Sequence, residues 1–111
     1  MIIPQRIRAL LGFSRKSGQL LVGEKAVKNC LKAKKACLVF LATDFPEKRR
    51  NYLCQWCQDE GVHYLIGGTK QEYGEILGVN PCALFVLTDI KMAEQIINSR
   101  FADGVSENNG R

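Results

Sequence analysis

The sequence predicts an α/β protein in which helices cover a sheet on both faces. Three observations point there. Two apolar runs, "ACLVFLATD" (36–44) and "CALFVLTD" (82–89), are continuous rather than alternating, as in strands buried on both faces. Segments with apolar residues at helical spacing lie between the strand-like runs. Strand and helix alternate along the chain, which is the pattern of helices layered onto a sheet.

The elements follow in order. Pro4 suits the first turn of a helix, and Ile7, Leu10, Leu11 and Ser14 follow at helical spacing. The basic "SRKSG" ends that helix, with Gly18 just past its last turn. "QLLV" is a short strand. Gly23 opens the next helix, and Glu24 suits the positive end of its dipole. At about 100° per residue, Ala26, Val27, Cys30 and Leu31 share one side, and Lys25, Lys28 and Lys32 the other, flanked by Asn29.

After the run 36–44, a helix starts near Pro46, with Asp44 as its cap and Tyr52, Leu53, Trp56 and Cys57 facing inward. Gly61 closes it, and "VHYLIG" is a strand. Thr69 caps "TKQEYGEILG", where Glu72 completes a capping box. The run 82–89 is the next strand. The last helix, "DIKMAEQIINSRF", turns Ile90, Ala93, Ile96 and Ile97 inward. Residues 102–111, polar and glycine-rich, are expected to be a disordered tail. Residues 1–101 read as one domain, without a repeat or linker to divide them, since domains commonly run to about 100–150 residues.

The 111 residues are 46% hydrophobic and 24% charged, enough for a packed core without staples. No apolar run approaches the roughly 20 residues that span a bilayer. The N-terminal stretch mixes charge through its apolar residues and lacks a cleavage pattern, so a cytoplasmic location and no membrane partner are expected. Five cysteines, an odd number scattered partly through apolar settings, read as reduced thiols.

The net charge of +5 is unevenly spread. Residues 1–35 hold nine Lys/Arg against Glu24 alone, whereas residues 36–111 hold seven basic and ten acidic residues. That imbalance points to an anionic partner for the first third.

Three ordered blocks, "LLGFSRKSGQLLVGEKAVKNCLKAKKACLVFLATD", "LGVNPCALFVLTD" and "MAEQIINS", resemble the L-seven-Ae / L-thirty-e family of ribosomal and kink-turn-binding proteins, especially its short YlxQ-type bacterial members. The resemblance spans about residues 7–100. It implies a three-layer α/β/α sandwich on a four-stranded mixed sheet, and no catalysis. It implies RNA as partner, structured and ribosomal or otherwise non-coding, with association with the ribosome. The RNA would be gripped by two adjacent segments: the glycine and following helix start, and the apolar loop before the last strand. On this sequence those carry Gly23, Glu24, Lys25, Lys28, Asn29 and Lys32, then Val79, Asn80, Pro81 and Cys82. Gly23 matches the family glycine. Lys25 stands where archaeal members usually carry Asn, Ala26 where they carry a base-reading Glu, and Asn29 where most carry Lys. An alternative of another class is a protein-interaction module of the same fold with weak, non-specific RNA binding, consistent with Ala26.

The chemistry suits the residue types. Free N–H groups at a helix start and nearby lysines neutralise phosphate, and a glycine lets a backbone approach. Val79 and Pro81 offer apolar surface to a base or ribose, and Asn80 offers donors and acceptors. Arg15 and Lys16 are secondary candidates. The rival motif is "CQWC", Cys54 to Cys57, a spacing that can ligate zinc or form a redox dithiol. One pair in the later half of a helix reads as core packing instead. His63, at the start of a strand, reads as structural rather than catalytic, Asp44 and Asp89 read as helix caps, and Gly67–Gly68 reads as a turn rather than a phosphate loop. No metal or cofactor is expected.

Overall fold

The computed structural model of the chain describes residues 3–99 and 105–106. The elements run α1 (Gln5–Lys16), β1 (Leu20–Val22), α2 (Glu24–Lys32), β2 (Leu38–Leu41), α3 (Glu47–Glu60), β3 (His63–Ile66), α4 (Lys70–Leu77), β4 (Leu84–Leu87), α5 (Ile90–Ser99) and β5 (Val105–Ser106). The expected four-stranded mixed sheet is present in the order β1-β4-β2-β3. β4 is antiparallel to both neighbours, and β2 and β3 are parallel. The two-residue β5 adds an antiparallel edge beside β3. It falls within the stretch expected to be a disordered tail, and the rest of 102–111 lies outside the described residues.

β2 and β4 occupy the middle of the sheet, and all eight of their residues are buried. This explains their continuous apolar character, because both faces of the sheet are covered. Alternation within β2 sends Leu38 and Phe40 to one face and Val39 and Leu41 to the other. The first face packs against α1, α4 and α5 through Ile7, Leu11, Tyr73, Leu77, Ala93 and Ile96. The second packs against α2 and α3 through Val27, Leu31, Leu53 and Cys57. Phe40 lies opposite Phe85 with ring centroids 4.5 Å apart, and Tyr73 meets both rings edge-on. Each such aromatic pair contributes about 0.5–1.5 kcal/mol beyond its burial.

The capping box forms as expected. Thr69 Oγ1 accepts from the Glu72 amide at 3.2 Å, and the Glu72 carboxylate accepts from the Thr69 amide at 2.8 Å. Asp89 accepts from the Lys91 amide at 3.0 Å and caps α5. Asp44 behaves differently from expectation. It does not cap α3; its carboxylate accepts from the Lys70 amide at 3.1 Å, so it serves the start of α4, 26 residues away.

Two helix faces are also rotated from the sequence expectation. On α3 the buried residues are Leu53, Cys54 and Cys57. Tyr52 lies roughly 150° from the centre of that stripe at about 100° per residue and is exposed, while Trp56 is half-buried. On α5, Met92, Ala93 and Ile96 face inward, and Ile90 lies roughly 110° from their centre and is exposed.

Candidate functional site

Strand pairing brings two segments of distant sequence together. β1 runs antiparallel to β4 with Val22 opposite Phe85, so the chain leaves β1 beside the point where it enters β4. The Gly23 amide extends the ladder by donating to the Leu84 carbonyl at 2.9 Å. The start of α2 and the loop before β4 therefore share one end of the sheet. Between them lies an open cleft of about 390 Å³. Gly23, Glu24, Val79, Asn80, Pro81 and Cys82 all line it.

Each wall has a local cause. Gly23 precedes α2 at φ +99°, which side chains rarely adopt, and a Cβ there would point into open space. No side chain caps α2, so its first N–H groups keep their hydrogen-bonding capacity. The loop is anchored at several points. Gly78 ends α4 in the left-handed conformation, and the Val79 amide donates back to the Gly74 carbonyl at 3.0 Å. The Cys82 amide donates to Lys70 O at 2.9 Å, and Ala83 O accepts from the Ala42 amide at 2.8 Å. Asn80 and Pro81 are left exposed at the loop's tip. Cys82 lines the cleft with its side chain buried, its thiol 3.4 Å from the Leu84 carbonyl.

The charged groups divide into two sets. Glu24 accepts from Arg49 of α3 and pairs with Lys28 at 3.0 Å, so one carboxylate is balanced by two cations. Lys28 also stands 5.7 Å from the centre of the Tyr52 ring. Lys25 and Lys32 are exposed and make no ion pair among the described residues, and Asn29 is exposed beside them. Lys25, Lys28, Asn29 and Lys32 lie further along α2 and do not line the cleft, and Asn29 borders a separate hollow with Ala26, Cys30 and Ala33. Burial raises the Cys82 thiol pKa overall, offset in part by a backbone hydrogen bond with Leu84 and then by the charge of Arg15.

Five cleft residues lie outside the expected site: Val22, Ala83 and Leu84 adjoin its two segments in sequence, whereas Phe45 and Arg49 do not. Phe45 and Arg49 arrive from the connection after β2 and the first turns of α3, and the Arg49 guanidinium stands 5.1 Å from the Phe45 ring centre. Only the sheet order places them beside Gly23 and Pro81. Gly74 likewise carries no sequence signal of its role. A Cβ there would lie 3.0 Å from Asn80 O, Pro81 Cα and Val79 O. The loop rests directly on α4 because that position has no side chain.

The rival motif belongs to the core. Cys54 and Cys57 are buried between α3 and the sheet. Burial, helped by the neighbouring Cys54, pushes the Cys57 thiol up to about 12, opposite to the shift that makes a reactive thiolate. Among the described residues, no group of three or more His, Cys, Asp or Glu is placed to hold a metal ion. No helix among them is long and apolar enough to cross a membrane.

Fold and site together define an α/β/α protein whose cleft is built from a helix start, a proline-containing loop and flanking cations. The chain belongs to the Ribosomal protein L7Ae/L30e/S12e/Gadd45 family, whose model matches residues 5–97. No curated protein matches it. Among solved structures it is similar to a protein with unknown function from Bacillus halodurans C, at 21% identity and a TM-score of 0.81, covering 86% of this chain and 96% of that one. It is also similar to the Giardia lamblia 15.5kD RNA binding protein, at 19% identity and a TM-score of 0.75, covering 88% and 90%. At these identities the likeness is one of fold.

Proposed function

We propose that residues 1–101 act as one non-catalytic RNA-binding domain, ribosomal or ribosome-associated, that recognises structured, kink-turn-like RNA in the cytoplasm. The observation that carries this reading is the meeting of the α2 start and the 79–82 loop in one cleft. Family membership supports the ligand class, and a protein of the same fold is described as RNA-binding. The three sequence blocks support a short bacterial member of YlxQ type.

The physics of the cleft suits bent RNA. A straight A-form helix hides its base edges in a deep, narrow groove, whereas a bend exposes unstacked bases and brings phosphates together. The uncapped amides of α2, with Lys25 and Lys32 alongside, supply phosphate contacts. Val79 and Pro81, facing Phe45 and Arg49, supply apolar and planar surface for a base. Ala26 has no acceptor for a base edge, so selectivity rests on shape and stacking.

Binding to a helix–bulge–helix RNA, compared with a straight duplex of equal length at physiological salt, tests the reading. Tight binding that prefers the bent RNA supports it. Equally weak binding to both contradicts it and favours the protein-interaction alternative.

A further inference from the structure

The cleft does not account for the aromatic pair on α3. Tyr52 is 57% exposed, one helical turn beyond Arg49. Its ring is nonetheless held in place. Trp56 meets it edge-on with centroids 6.0 Å apart, and Lys28 Nζ sits 5.7 Å from its centre. Lys28 also pairs with Glu24, which lines the cleft and receives Arg49. Tyr52 is thus joined to the cleft's rim by a continuous set of contacts.

We infer that Tyr52 is a stacking platform for an unpaired base in the RNA strand that leaves the cleft, with Lys28 countering the charge of that nucleotide. The inference rests on the RNA-binding reading above and extends its footprint across the α2–α3 seam. The charge around the ring selects the ligand. Lys25 and Lys32 project from the same side of α2 as Lys28, and Lys48 lies one turn before Tyr52 on α3. Two acids face this seam: Glu24 is balanced by two cations, and Glu60 is paired with Lys34. An exposed ring among cations suits a polyanion whose units carry flat π-faces. Every base offers such a face, so the platform is tolerant of sequence. A cation within about 6 Å of a ring interacts favourably with it, and this holds Lys28 where the adjoining phosphate would pass.

The test uses a bent RNA with and without a three-nucleotide single-stranded extension, placed on each strand end in turn. Wild type, Tyr52→Phe and Tyr52→Ala are compared; the side chain is exposed, so neither change disturbs the core. On one of the two ends, the extension should tighten binding by wild type and Tyr52→Phe by about fivefold or more, the low end of base–aromatic stacking. Tyr52→Ala should show no such gain while still binding the unextended RNA. The chain's one tryptophan, Trp56, should report the same event through a fluorescence change that Tyr52→Ala lacks. Equal gains in wild type and Tyr52→Ala, or no gain on either end, overturn this inference and leave the cleft reading intact. Failure of wild type to bind the unextended bent RNA overturns both.

Discussion

The Gly23 amide donates to the Leu84 carbonyl at 2.9 Å, so the first residue past β1 is tied to the first residue of β4. That bond sets the start of α2 against the end of the 78–83 loop. The site is therefore a consequence of strand order: the two segments meet because β1 and β4 are neighbours.

Gly74 holds the other wall. A Cβ there would press on the backbone of Val79, Asn80 and Pro81 at 3.0 Å, so Gly74→Ala must displace the loop by a few tenths of an ångström. Overpacking of this kind costs about 1–3 kcal/mol. Thermal melts should show a lowered Tm with a cooperative transition retained. Affinity for bent RNA should fall further than in an equally destabilised core variant. An unchanged affinity would mean that the loop's position does not matter to binding.

The lysines on α2 should separate in a salt titration. Lys25 and Lys32 are exposed and without ion pairs among the described residues, whereas Lys28 is engaged by Glu24 and Tyr52. Removing one cation that neutralises a phosphate lowers the slope of log K against log salt by roughly 0.7–0.9. With a bent RNA lacking a single-stranded extension, Lys25→Ala and Lys32→Ala should each approach that reduction, and Lys28→Ala should fall short of it. Equilibrium binding at four or five salt concentrations measures the slopes, and a wild-type slope in the Lys25/Lys32 double variant would remove both from the interface.

Lys34 carries φ +60°, a left-handed conformation, at the end of α2. A non-glycine residue there carries strain of about 1–2 kcal/mol. Its exposed pair with Glu60, at 2.6 Å, returns about 0–1 kcal/mol. Lys34→Gly should therefore raise stability by a few tenths to about 1 kcal/mol after the entropy cost of glycine. Urea unfolding reads the change, and a lower midpoint would show that the ion pair outweighs the strain.

Alkaline conditions should weaken the fold. Burial raises the Cys57 thiol from its ordinary 9.0 to about 12, and burial also raises the Tyr73 phenol. Between about pH 9 and 12 the unfolded chain releases a Cys57 proton that the folded chain keeps. The stabilisation is complete below pH 9 and is lost as pH rises toward 12, by at most about 1.4 kcal/mol per pH unit for that thiol. Urea unfolding from pH 8 to 10.5 should show this fall, and Cys57→Ala should make it shallower. The same slope in both proteins would rule out Cys57 as a cause.

Much of the fold was legible because its signals are local. The runs that became β2 and β4 are apolar throughout because both sheet faces are covered, and Thr69 with Glu72 announces a helix start within four residues. Family resemblance, joined to charge and loop chemistry, singles out the α2 start and the loop as candidates. Phe45 and Arg49 carry no such signal, since nothing beside them in sequence tells that they will face Gly23 and Pro81. Sequence proximity points Asp44 to the nearer helix, although its partner amide is Lys70, reached only across the parallel β2–β3 pair. The apolar character of Tyr52 and Ile90 suggests an inward position, but it does not fix the centre of the buried stripe. On α3 that centre shifts toward Cys54, whose thiol counts as apolar surface once it is buried.

In the proposed complex the α2 start and the 79–82 loop engage RNA as one surface. Amide chemical-shift mapping of the labelled protein, titrated with a bent helix–bulge–helix RNA, examines that surface residue by residue. Gly23, Glu24, Lys25, Val79, Asn80 and Cys82 should shift together, with one shared dissociation constant. Shifts confined to one of the two segments, or centred on the opposite α1/α5 layer, would refute a single RNA-binding surface.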